Sequence, residues 1–181
     1  MIVGPTRLLV LGVVRETGGP VHGYDVRRKL LARGATSWAN VKPGSIYNAL
    51  KTLVREGFLE SVGTDRQGAR PERTCFRLTA AGEQEYARLL RENLAGARLP
   101  NHPLLAGLAF LPDVPPAEVA ASLRARAAEL RASAADCRTM AADIRADDGH
   151  IPPHVAESYD LVATLQEGEA TWAAGLADRL E

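Results

Sequence analysis

Apolar residues recur with a helical period up to Gly57, give way to two short extended runs, and resume a helical period through the second half of the chain. Leu8, Leu9, Leu11, Val13 and Val14 follow Gly4 and Pro5, which predicts a first helix over about Pro5 to Glu16, ended by Thr-Gly-Gly-Pro. A second helix is expected from near His22, carrying Tyr24, Val26, Leu30 and Leu31, and stopping near Gly34. The third begins at Pro43, whose fixed φ and missing N–H suit a first helical turn. Ile46, Leu50, Leu53 and Val54 then share one face, and Gly57 falls where a left-handed C-cap belongs.

Phe58 to Gly63 reads as a strand and Thr74 to Leu78 as its partner. The intervening DRQGARPER is too polar, and too rich in Gly and Pro, to be core, so the hairpin tip presents Arg66, Arg70 and Arg73. Thr79 is placed to cap a fourth helix through Tyr86, Leu89 and Leu90 to about Leu94. GARLPNHP breaks the pattern and predicts two domains, 1–95 and 96–181.

In the second half, Leu123, Ala127, Leu130, Ala134, Cys137, Ala141 and Ile144 stand alternately four and three apart, the seam of a helix lying lengthwise against others. DDGHIPPH turns the chain, and a helix from about His154 to Leu180 offers Val155, Tyr159, Val162, Leu165, Trp172, Leu176 and Leu180. Two long helices alone bury little, so this half is expected to dimerise, with Leu123, Leu130, Cys137, Ile144 and Leu176 at the interface. The expected fold is mainly α with a small two-stranded β wing: an N-terminal winged helix-turn-helix followed by a C-terminal long-helix dimerisation domain.

Charge changes the picture more than composition does. The formal net charge is zero, yet residues 1–95 hold 15 basic against 9 acidic residues, while 96–181 hold 7 against 13, so the halves carry +6 and −6. A basic half attracts a polyanion and an acidic half is repelled by it, so the N-terminal half is expected to face nucleic acid. The third helix supplies the matching surface. Opposite its apolar face lie Ser45, Asn48, Lys51, Thr52 and Arg55, with Tyr47 at the margin and Lys42 just before the start, all groups able to reach phosphates or base edges.

Other chemistries find less footing. There is no apolar run of spanning length, and the N-terminal LLVLGVV reads as the buried face of a helix rather than as a leader. Cys75 and Cys137 form neither a disulfide framework nor a thiolate cluster, so a reducing cytoplasm is expected. Cys75 lies between Arg73 and Arg77, but a single cysteine in a strand is read as packing. His150 and His154, which could bind a metal only together with the distant His102, flank a Pro-Pro turn rather than sharing one helix face, so neither metal nor cofactor is expected. No phosphate-binding glycine loop, zinc-protease helix motif or nucleophile elbow occurs, so no enzyme is inferred. Trp38, Trp172 and Tyr159 are first of all core or interface aromatics; Trp172 and Tyr159 are the candidates for an effector platform.

HGYDV (22–26), PGSIYNALKTLVREGFL (43–59), GARPERTCFRLTAAG (68–82) and the tail of long helices together resemble the PadR family of bacterial transcriptional regulators. The resemblance implies a cytoplasmic homodimer, most often a repressor, whose third helix enters the major groove of an inverted-repeat operator while the wing touches flanking DNA. It also implies a small hydrophobic or aromatic effector near the dimer interface, and a phosphate contact for Tyr47. Two departures concern the operator. Lys42 replaces the usual Ser or Thr before Pro-Gly, trading a cap for a cation, and Asn48 replaces a usual Pro, adding a group that pairs with adenine. An activator of the same architecture, and a winged helix serving as a protein-interaction module, are the alternative readings.

Overall fold

The computed structural model describes residues 5–39, 41–65, 73–97, 102–147 and 151–181. The chain divides between residues 99 and 100 into two compact units.

The first unit opens with α1 (Pro5–Thr17), which buries Val10, Leu11, Val13 and Val14, followed by β1 (Val21–His22) and α2 (Gly23–Ala32). Gly34, at φ 69°, reverses the chain into the single turn α3 (Ala35–Trp38). Trp38 Nε1 closes that corner by donating to the Arg33 carbonyl at 2.8 Å. Next comes α4 (Pro43–Arg55), the third helix of the sequence pattern, with Pro43 in its first turn and Ile46, Leu50 and Leu53 buried. Gly57, at φ 77°, ends it, as a left-handed C-cap position requires.

β2 (Leu59–Asp65) and β3 (Arg73–Leu78) form the hairpin, and α5 (Ala80–Ala95) follows. The wing differs from expectation in strand count. β1 pairs antiparallel with β3, opposing Val21 to Phe76 and His22 to Cys75, so the sheet has three strands in the order β1-β3-β2. A two-residue strand has no readable period, and its partner lies far along the chain. The core of this unit gathers the apolar faces of α1, α2 and α4 with Leu59 and Leu89.

Thr79 ties the end of α4 to α5, the helix after the wing. Its hydroxyl donates to the Gly57 carbonyl at 2.7 Å and accepts from Gly82 N–H at 3.0 Å, so one side chain caps α5 and fastens it to the end of α4. An ion network reinforces the join. Arg7 of α1 meets Glu56, just past α4, at 2.5 Å, and stacks over Phe58 at 4.9 Å. Its Nε lies 3.2 Å from Glu85 of α5 but is not aligned for a hydrogen bond. Glu85, 9% exposed, instead accepts two hydrogen bonds from Arg88, at 2.7 and 2.9 Å.

The hydrogen bond from Arg88 holds the Glu85 carboxyl below its usual range against the opposing effect of burial, with both arginines adding attraction. A depressed carboxylate pKa contributes stability that is complete above the unfolded value and is lost as pH falls through the folded one. Glu85→Gln is therefore expected to cost about 1–3 kcal/mol at neutral pH, and to cost less at acid pH, where the wild-type carboxylate is protonated too. Urea melts at pH 7 and below pH 4 check this; a cost that does not shrink in acid would place the effect in packing.

The second unit comprises α6 (Pro103–Ala109), a 3-10 turn (Leu111–Asp113), α7 (Pro116–Ala146) and α8 (His154–Arg179). The sequence pattern hides α6 within the linker region, because Pro and Gly mask its two turns. The seam of α7 follows the expected period, with Leu123, Ala127, Ala134, Ala141 and Ile144 buried together with Ala120. The face of α8 does not. Its buried positions are Ala156, Ala163, Ala170, Ala173 and Ala177, four of them seven apart, while Leu165 is exposed. Alanine wins the seam because two long helices packed lengthwise approach closely only where side chains are small.

Ion pairs flank the α7–α8 seam. Arg138 reaches Glu167, Arg145 reaches Glu157 and Asp160, and Arg124 reaches Asp178 and Glu181. Arg126 of α7 and His102 both bind Glu169 of α8, at 2.5 and 2.9 Å, which ties the residue before α6 to the α7–α8 pair. No helix among the described residues is long and apolar enough to cross a membrane.

Candidate nucleic-acid interface

The exposed side of α4 follows from its amphipathic period. With Ile46, Leu50 and Leu53 turned into the core, Tyr47, Asn48, Lys51 and Arg55 necessarily point outward. Lys42, the N-cap residue, is exposed and makes no side-chain cap. Ser45 is half-buried, and its hydroxyl donates back to the Lys42 carbonyl at 2.7 Å. That bond fastens the first turn and leaves only the oxygen lone pairs for an outside donor.

Tyr47 stands 41% exposed, at the join of α4 with the start of α2. Gly23 explains how it comes there. A Cβ at Gly23 would lie 3.2 Å from the Phe76 ring and 3.4 Å from the Tyr47 ring, so the missing side chain lets α2, α4 and β3 close on one point. Tyr24 of α2 is also exposed, at 57%. Sequence reasoning places Tyr24 among the apolar positions of its helix; the neighbouring buried residues, Gly23, Val26 and Leu30, already account for the inward face.

In the wing, the β2–β3 register shifts between Ser61 and Thr64, where Gly63 adopts φ 65°. Arg73 opens β3 opposite Asp65, whereas Arg66 and Arg70 lie outside the described residues. Arg77 pairs with Glu60 across the hairpin at 2.6 Å.

The residues expected at a dimer interface separate into two sets. Leu123 and Ile144 are 5% and 4% exposed within the single chain, packed among the alanines of α8, so they have no surface left for a second chain. Leu130, Cys137 and Leu176 are half-buried. The large apolar residues that remain outward on α8 are Leu161, Leu165 and Trp172. Tyr159 packs against the cluster of Ala141, Ile144 and Ala156, and Trp172 is 40% exposed. Among the described residues, no group of three or more His, Cys, Asp or Glu is placed to hold a metal ion.

Residues 10–88 match the model of the transcriptional regulator PadR-like family. No curated protein matches the sequence. Among solved structures, the fold is similar to Bacillus subtilis PadR in complex with operator DNA, at 18% identity and TM-score 0.70 with all of both chains covered. It is also similar to Bacillus subtilis PadR in complex with p-coumaric acid, at 18% identity and TM-score 0.69, covering 96% of this chain and 97% of that one. A PadR-like transcriptional regulator from Bacillus cereus matches at 15% identity and TM-score 0.59, with 97% of this chain and 99% of that one covered. These likenesses establish a shared fold, and the segment that matches the PadR-like family model, residues 10–88, spans α2, α4, both long wing strands and most of α5.

Proposed function

We propose that this protein is a homodimeric, sequence-specific DNA-binding repressor of the cytoplasm, released from an inverted-repeat operator by a small hydrophobic or aromatic effector. The observation that carries the reading is the two-faced α4, anchored by three buried residues and presenting Tyr47, Asn48 and Lys51 outward in the more basic half of the chain. A helix held in this way behind a hairpin is the geometry that enters a major groove. In the proposed complex, Lys42, Lys51 and Tyr47 hold phosphates, Asn48 reads a base, Ser45 accepts at the first turn, and Arg66, Arg70 and Arg73 meet flanking DNA. That Bacillus subtilis PadR forms complexes with operator DNA and with p-coumaric acid supports both the DNA and the effector in this reading.

Dimerisation is assigned to the second unit, through the outward residues of α8, Leu165 and Trp172, together with Leu130, Cys137 and Leu176. The effector is assigned to the neighbourhood of Trp172 and Tyr159, and it acts by preferring the dimer geometry that does not fit the operator.

The test is fluorescence anisotropy against the promoter of the protein's own transcription unit and a scrambled duplex, at several salt concentrations. Tighter, salt-sensitive binding of two protomers to the promoter supports the reading. Indifference to both duplexes favours the interaction-module alternative. The wing has its own prediction. Arg70→Glu with Arg73→Glu weakens binding to every duplex and flattens the salt dependence, because these side chains neutralise phosphate without reading sequence. Unchanged affinity in that variant would remove the wing from the interface.

A further inference from the structure

Away from the outer face of α4, a nucleophile and a base stand side by side. Cys75 of β3 and His22 of β1 are directly opposed across the sheet, and Cys75 Sγ lies 3.2 Å from His22 Nδ1, although 53 residues separate them in sequence. Both are half-buried, so a molecule of peroxide size reaches them. The alternation of the strand puts Val21 and Phe76 on the opposite face, and Val21 is buried in the core. Arg77, two residues along the same face, is occupied by Glu60 at 2.6 Å, which leaves the imidazole as the partner of the thiol.

We propose that Cys75 is a site of oxidation by hydroperoxides, with His22 as its base, and that the modification weakens DNA binding. The sulfur attacks one peroxide oxygen while the imidazole accepts the thiol proton. An S–O bond forms, the O–O bond breaks, and the leaving hydroxide takes up that proton. One thiol and one hydrogen peroxide become one sulfenic acid and one water, the sulfur being oxidised and the peroxide reduced.

The position of the pair supplies the consequence. The new oxygen occupies the space between Sγ and the ring, so one of the two side chains has to move. His22 belongs to a strand of two residues and is the N-cap of α2, which makes it the part that yields. Gly23, the next residue, is packed close to Phe76, Leu50 and Tyr47, so movement at the start of α2 is transmitted to α4. This second half rests on the DNA-binding reading above; the reactivity of Cys75 does not.

The experiment treats the full-length protein with hydrogen peroxide, traps sulfenic acid with dimedone, and measures labelling of Cys75 and Cys137 by mass spectrometry beside operator anisotropy. Cys137, on a helix and with no histidine bonded to it among the described residues, is the internal reference. Cys75 is expected to label at least about tenfold faster than Cys137, and His22→Gln to bring it down to the reference rate. Operator affinity falls about tenfold on oxidation and returns with dithiothreitol, while Cys75→Ser binds the operator with or without peroxide. Equal labelling of the two cysteines, or labelling of Cys75 untouched by His22→Gln, overturns the site. If His22→Gln does not fold, the wild-type labelling ratio decides alone. Fast labelling without any change in operator affinity overturns the regulatory half, and absence of operator binding in the reduced protein counts against the DNA-binding reading while the ratio still judges the site.

Discussion

Gly82→Ala is expected to destabilise the N-terminal unit by more than about 3 kcal/mol, a large share of the about 5–15 kcal/mol that holds a typical domain folded. A Cβ at this position overlaps the Phe58 carbonyl oxygen and would stand 2.8 Å from Leu78 Cδ1 and 3.0 Å from the Phe58 carbonyl carbon. Neither side of this contact gives easily. Phe58 O accepts from Thr79 N–H at 3.2 Å, and Gly82 N–H donates to Thr79 Oγ1 at 3.0 Å, so the two backbones are bonded to the residue between them. Relief would require the first turn of α5 to lift from the end of α4, breaking the Thr79 cap. Gly57 provides the control. It has a positive φ, but an added methyl there would meet open space, so Gly57→Ala is expected to cost only about 1 kcal/mol. Urea unfolding of the two variants separates close approach from backbone conformation, and a Gly82→Ala cost no larger than that of Gly57→Ala would refute the steric account.

Much of this architecture was legible in the sequence, and what escaped did so for physical reasons. The amphipathic period of α4, the Pro43 start, the Gly57 stop and the Thr79 cap are local signals, and each appears where its chemistry predicts. β1 and α3 are too short to show a period, and β1 exists only because β3 returns to pair with it. On α8 the eye follows Leu165 and Trp172, yet burial follows Ala156, Ala163, Ala170 and Ala177, because alanine carries little hydropathy while permitting the closest helix approach. Leu123 and Ile144, expected at a dimer surface, are buried between α7 and α8 of the single chain. Of the candidate site, the outward residues of α4 were readable from helical geometry alone. The meeting of His22 with Cys75, and of Arg7 with Glu56 and Glu85, joins residues distant in sequence through tertiary structure, which no spacing rule encodes.

Lys42→Glu combined with Lys51→Glu is expected to weaken operator binding at least about a hundredfold near 0.1 M salt while leaving the fold intact. Both side chains are exposed, and neither makes an ion pair among the described residues, so reversing them removes no internal contact. The loss follows from counterion release. A proposed dimer presents four such lysines, and each phosphate they neutralise contributes about 0.9 to the slope of log affinity against log salt, so the slope should flatten by about three to four. Asn48→Ala tests the other component of recognition. An amide that pairs with adenine contributes sequence preference rather than charge, so its loss should relax the selected operator at one position per half-site and leave the salt slope unchanged. The two variants therefore separate affinity from specificity on one helix face. A double lysine variant with the wild-type slope would mean that α4 does not lie against phosphate, and an Asn48→Ala protein that selects the same operator would mean that its base readout comes from another residue.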